Sequence, residues 1–164
     1  MKTKTLKDLF FDQLRDTFDA EKQMCKALPK LASAAYSPEL RAAFDQHANE
    51  TEVQIERLKQ VAEACDYTLR RKTCDAMEGL VSEAKEMMDE KADPMAKDAG
   101  LIAAAQKAEH YEIASYGCLA TWAEMLGHAE ASRLLLETLE EEKRTDARLT
   151  ELAERFINAE AVNV

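Results

Sequence analysis

Between Ile102 and Leu126 one helix face reads Ile102, Ala105, Glu109, Glu112, Tyr116, Leu119, Ala123, Leu126, an apolar stripe with two carboxylates at its centre. Glu109 and Glu112 stand three residues apart, so they stack on the same side of the helix. A carboxylate on a buried face is costly unless it is paired or bound to a metal. Two adjacent ones repel and share protons unless a cation sits between them. Whatever the fold, other segments must bring compensating groups, or further acids with a cation, to this level.

The remaining sequence supplies helices for that purpose. With only four Gly and three Pro in 164 residues, and no β-branched runs or hairpin turn signals, the chain predicts an all-α fold. Its length suits a single domain over 1–164 with a sizeable core. The 32 acids against 22 bases give a net charge of −10, which argues against nucleic-acid binding and favours attraction of cations. No apolar run is long enough for a membrane span. The basic start, Met1-Lys2-Thr3-Lys4-Thr5, is not followed by an apolar stretch, so a cytoplasmic location is expected. Cys25, Cys65, Cys74 and Cys118 lack close metal-ligand spacing, and all but Cys74 fall in helical stripes; they read as reduced, mostly buried thiols.

In chain order, the first helix is expected from about Leu6 to Ala35, with Glu21 midway between Leu14 and Leu28 on the inward face and Pro29 as a candidate kink. Ser37-Pro38-Glu39 is a strong start signal for a second helix reaching about Asp66. Its stripe runs Leu40, Ala43, Phe44, then His47, Glu50, Gln54, then Leu58, Val61, Cys65. Residues 67–74 read as a connection, followed by a short helix from Ala76 to Asp89 capped by Asp75. A fourth helix spans Pro94 to Leu126, closed by Gly127, and a fifth runs from His128 to Glu160 with the stripe Ala131, Leu135, Leu139, Glu142, Thr145/Asp146, Leu149, Leu152, Phe156. Tight turns make each long pair antiparallel. The 67–93 segment has the length for a crossover carrying a short additional helix, as in ferritin-like four-helix bundles.

Each long helix thus has one polar interruption near its middle: Glu21; His47, Glu50 and Gln54; Glu109 and Glu112; Glu142 and Asp146. In an antiparallel bundle these share a level, so four or five carboxylates converge. Two divalent metals would neutralise them, and an oxygen-rich set favours iron or manganese over zinc. Glu141, about 100° around the helix from Glu142, is the alternative inward residue. The ferritin-like template asks for a Glu-x-x-His on two helices. Here Val53 and Thr145 stand where the histidines would be, with Gln54, Asp146 or His47 as substitutes. His47 and Tyr116 are read as residues supporting the ligands.

The blocks Asp19-Ala20-Glu21-Lys22-Gln23, His47-x-x-Glu50-Thr51-x-x-Gln54, Cys74-x-x-Met77-x-Gly79-Leu80, Glu109-His110-Tyr111-Glu112 and Leu139-x-Glu141-Glu142-Lys143-x-x-Asp146 resemble the bacterial YciE/YciF family of ferritin-like, stress-associated proteins. The resemblance implies a four-helix ferritin-like bundle, a homodimer and a di-metal site. Dioxygen or peroxide is then the expected small-molecule substrate, with no catalytic side chain assigned. The missing histidines leave open the alternative of a metal-independent dimeric bundle acting as a structural or interaction module. The methionines at 77, 87, 88 and 95 offer an adaptable contact surface for such a dimer.

Overall fold

The computed structural model describes residues 4–163; Met1-Lys2-Thr3, the first part of the basic start, and Val164 lie outside the described residues. All the regular structure described is helical. Helix α1 spans Leu6–Ala34, α2 Pro38–Ala64, α3 Asp75–Asp89, α4 Pro94–Met125 and α5 Ala129–Leu152. A π-helical turn, Ala153–Ile157, and a last short helix α6, Asn158–Val162, follow.

The helix starts are chemical. Thr5 and Asp8 form a reciprocal capping box, each side chain accepting the other's amide at 3.1 Å. Ser37 caps α2 ahead of Pro38, and the Asp93 carboxylate accepts the amides of Met95 and Ala96 ahead of α4. At α3 the cap is Cys74, one residue before the expected Asp75, its sulfur accepting from the Met77 amide at 3.5 Å. Helix α1 continues through Pro29 to Ala34.

Two helix ends share one geometry. After α4, Gly127 takes φ +80° while the amides of Gly127 and His128 return to Glu124 and Ala123. After α2, Asp66 at φ +50° stands in the same place, with Asp66 and Tyr67 donating to Glu63 and Ala62. Glycine enters the left-handed region freely; aspartate does so against its Cβ.

Helices α1, α2, α5 and α4 pack in that cyclic order as a four-helix bundle, and α3 lies across α1 and α4 in the crossover, as expected. The core is in two parts. One contains Met24, Leu28, Leu31, Leu40, Phe44, Leu101, Ile102, Leu149 and Ile157. The other contains Phe10, Leu14, Leu58, Val61, Tyr116, Leu119, Leu134 and Leu135. Each large side chain buried here contributes about 1.5–3 kcal/mol.

Two sequence expectations are corrected. Phe156 was expected in the α5 stripe, but the π-turn inserts an extra residue into the helical register, and Ile157 is the fully buried one instead. Cys118 is exposed and Cys25 half-buried, whereas Cys74, the cysteine outside any stripe, is fully buried at the α3 cap.

Candidate metal centre

Between the two apolar parts lies a polar belt at mid-bundle height. Glu21 from α1, His47, Thr51 and Gln54 from α2, Glu109 and Glu112 from α4, and Thr138 and Glu142 from α5 are all buried there. Helical spacing explains the selection. On α2 the buried positions follow alternating four- and three-residue steps, Leu40, Phe44, His47, Thr51, Gln54, Leu58, Val61, which is the seam of a packed helix pair.

His47, Glu109, Glu112 and Glu142 each place one donor atom so that all four lie within 4.8 Å of one another. The His47 Nε2 atom is 2.9 Å from Glu109 Oε1 and 3.8 Å from Glu142 Oε2. Neither approach to His47 Nε2 is aligned as a hydrogen bond. Both oxygens of Glu109, Glu112 and Glu142, one oxygen of Glu21 and His47 Nε2 are buried with no hydrogen-bond partner among the described residues. The other Glu21 oxygen accepts the phenol hydrogen of Tyr116. Buried polar atoms left unmatched in this number are exceptional in a folded core, and an imidazole with carboxylates is a fitting ligand set for a hard or borderline divalent ion. The cluster can hold a metal ion.

The electrostatics agree. Burial pushes the Glu21 carboxyl up to about 7, even though the Tyr116 hydroxyl works the other way. Glu112 is raised well above the carboxylate range by burial and by its neighbours Glu21 and Glu142, and Glu142 by burial and Glu109. Burial alone would lower His47, but the charge and contact of Glu109 outweigh it and hold the imidazole well above its ordinary value. Without a cation, then, the surroundings favour the neutral carboxyl at Glu112 and Glu142 and the charged imidazole at His47.

The residues expected at the site divide. Glu21, Glu109, Glu112 and Glu142 are all buried in the polar belt, and Tyr116 donates to Glu21. His47, read as a supporting residue, lies in the cluster itself. Glu50, Gln54 and Asp146 are not among its four residues. Glu50 falls off the α2 seam, whose step is taken by Thr51. Its carboxylate sits at the surface, accepting from Gln46 at 2.8 Å and 3.9 Å from His47 Nδ1, and that imidazole holds it below its usual range. Asp146 is displaced to the bundle edge, where it meets Gln106 at 3.1 Å and His110 at 3.3 Å. Gln54 is fully buried at the level of the site, but its amide donates to Glu141.

Glu141 belongs to a second group that the sequence did not reveal. Buried Arg57 donates to both its oxygens, at 2.7 and 2.9 Å, and also to Thr138 and Glu137. No single-helix pattern shows this, because it depends on the register of α2 against α5.

A cleft of about 140 Å³ leads from the surface to His47, between α2 and α5, walled by Phe44, Thr145 and Leu149. At its mouth Arg148 donates to Gln46, whose amide in turn holds Glu50.

Comparison with known proteins settles the kinship. Residues 5–162 match a family described as a domain of unknown function, DUF892. The chain is 52% identical to protein YciF of Escherichia coli strain K12 over 164 residues, covering 99% of each. The chain belongs to the YciF family. The crystal structure of the E. coli stress protein YciF superposes with a TM-score of 0.93 over 95% of this chain and 99% of that one. YcfI, a putative structural protein from Rhodopseudomonas palustris, gives 0.88 at 42% identity over 91% and 95%. A Xanthomonas campestris protein, 21% identical, shares the YciF-family fold at 0.75 over 94% and 95% of the two chains.

Proposed function

We propose that this YciF homologue is a stress-associated, ferritin-like metalloprotein that holds two iron or manganese ions in the polar belt. The observation that carries the reading is the set of unmatched buried polar atoms on His47, Glu109, Glu112, Glu142 and Glu21. Charge supports two ions: once deprotonated, the four buried carboxylates would carry four negative charges, which two divalent cations would balance. The four-residue cluster would hold one ion, and Glu21 would help to hold the other.

An ion pair of this kind supplies redox chemistry toward dioxygen or peroxide. The protein's own contribution is positional. Tyr116 fixes one oxygen of Glu21 and leaves the other facing inward. The apolar parts on either side exclude water from the belt, so charges there act in a low dielectric. His47 forms the floor of the cleft, which gives small molecules their approach. Loading would displace the protons that burial favours on Glu112 and Glu142 and that Glu109 favours on His47, so metal binding releases protons.

The second reading is a metal-independent bundle working as a dimeric structural module. The raised carboxyls favour it, because protons alone can neutralise the belt, and YcfI is described as a putative structural protein. Glu109→Ala separates the two. A metal protein loses bound metal and the thermal shift that added Mn(II) produces. A metal-free bundle binds nothing in either form and gains stability as one buried acid is removed.

A further inference from the structure

Six of the chain's 22 basic residues gather around one cleft on the face of the bundle formed by α1 and the 67–74 connection. The cleft has a volume of about 500 Å³. Arg15, Lys22 and Lys26 enter from α1, and Arg70, Arg71 and Lys72 from the connection; Phe18 and Leu69 provide apolar wall. In a protein of net charge −10 this is a local reversal of sign.

Four of its six charges have no acidic partner among the described residues, and Lys22 lies over the Phe18 ring at 5.5 Å. Lys72 is held by Asp12 at 2.7 Å and Asp16 at 3.1 Å, and Arg15 by Asp12. Among the described residues no carboxylate lies within 4 Å of the charged groups of Lys22, Lys26, Arg70 or Arg71. The one acid lining the cleft, Asp19, is already occupied, accepting from Gln23 at 2.7 Å and from the Cys74 amide at 2.9 Å. The Nε of Arg15 is buried without a partner. The wall is also fixed in place. Tyr67 stacks on Phe11 at 4.0 Å at one end of the connection, and Lys72, Cys74 and Gln23 tie the other end to α1. Ordering the loop is therefore not a cost that a ligand must meet on binding.

We infer that this cleft binds a small organic polyphosphate, of the nucleoside di- or triphosphate class, with its phosphates among Arg70, Arg71, Lys22 and Lys26 and its ring against Phe18 and Leu69. Clustered guanidinium and ammonium groups recognise phosphate oxygens through charge-assisted hydrogen bonds. The acidic remainder of the surface selects for size. A compact anion inside the cleft lies within a screening length of the six bases, about 8–10 Å, and is shielded from charge farther off. A nucleic-acid duplex would extend over the acidic faces beyond it.

The test is calorimetric titration of the full chain in EDTA and 50 mM salt with ATP, inorganic triphosphate, adenosine and a short DNA duplex. ATP and triphosphate bind, ATP the more tightly; adenosine does not; the duplex binds more weakly than ATP. Arg70→Glu/Arg71→Glu, on an exposed connection, weakens ATP by at least tenfold, and Lys22→Ala/Lys26→Ala by several-fold. Lys107→Glu/Lys143→Glu, remote from the cleft, leaves ATP affinity unchanged. Circular dichroism verifies that each variant is folded. Silence of the wild type toward both ATP and triphosphate, or equal loss in the remote variant, overturns the assignment. Tighter binding of the duplex moves the site to a nucleic-acid partner and overturns it too. The outcome is independent of the metal reading, since chelator is present throughout.

Discussion

The polar belt has two halves, and the chain treats them oppositely. In one, Glu141 meets Arg57 and Gln54, so the acid is matched by a guanidinium and an amide from the facing helix. In the other, Glu109, Glu112 and Glu142 meet one another and a single imidazole, with no donor aligned to any of their six oxygens among the described residues. Both halves draw on α2 and α5, through the adjacent acids Glu141 and Glu142, and the second adds Glu109 and Glu112 from α4. The chain therefore supplies a permanent cation, Arg57, where a closed contact suffices, and only the titratable imidazole of His47 to three acids a residue away. Such an omission is what a site for an exogenous cation requires, since a resident arginine would compete for the same carboxylates.

The largest expected effect tests the unmatched half. Manganese or ferrous ion, at about a thousand times its dissociation constant, should stabilise the protein by about 4 kcal/mol per bound ion. Its size should depend on pH in a defined sense. Glu21 is raised from 4.5 to about 7 in the folded state, and Glu112 and Glu142 are raised well above the ordinary carboxylate value. The folded metal-free protein thus binds more protons than the unfolded chain, and its stability falls as pH rises from about 4.5 through 7 and beyond. His47 acts in the same direction, its contribution complete below 6.5 and lost as pH climbs through its raised value. The metal-induced gain should rise over the same interval, because the ligands must deprotonate to bind. Thermal denaturation from pH 5 to 8, with and without ion, measures both slopes; a metal-free protein that grows more stable with pH would contradict the picture.

The matched half should respond differently. Arg57→Met leaves Glu141 with only the Gln54 amide and should destabilise by about 3 kcal/mol, whether or not metal is present. Adding Glu141→Leu should restore most of the loss, a coupling that urea denaturation of the double-mutant cycle reads directly. No such rescue exists within the cluster.

The smallest effect lies outside the belt, at the two helix ends that share one geometry. Asp66 takes at the end of α2 the left-handed position that Gly127 takes at the end of α4. Asp66→Gly should raise stability by about 0.5–1 kcal/mol and leave the metal-induced shift untouched. It is a control for changes that act through stability alone.

Much of this was legible in the sequence for a physical reason. The helices announce themselves through caps and stripes, and a buried acid stands out because it interrupts apolar spacing, as Glu21, Glu109 and Glu142 do. His47 and Glu50 were harder, since both sit near the α2 stripe. Only the strict four-and-three step from Phe44 to His47 to Thr51 separates the buried one from the surface one, and the same step on α5 passes through Thr145 rather than Asp146. Arg57 was not legible at all. Its burial depends on which turn of α5 lies opposite, a relation between helices that no single stripe encodes. The π-turn that substitutes Ile157 for Phe156 is hidden likewise, because one inserted residue leaves the composition of the segment unchanged.

The most direct test of the central claim is elemental analysis of protein expressed and purified with no metal added and no chelator used. Two iron or manganese ions per chain is the predicted result, falling to none in Glu109→Ala. A wild-type protein that carries neither metal, and takes up neither when Fe(II) or Mn(II) is offered under anaerobic conditions, would contradict it.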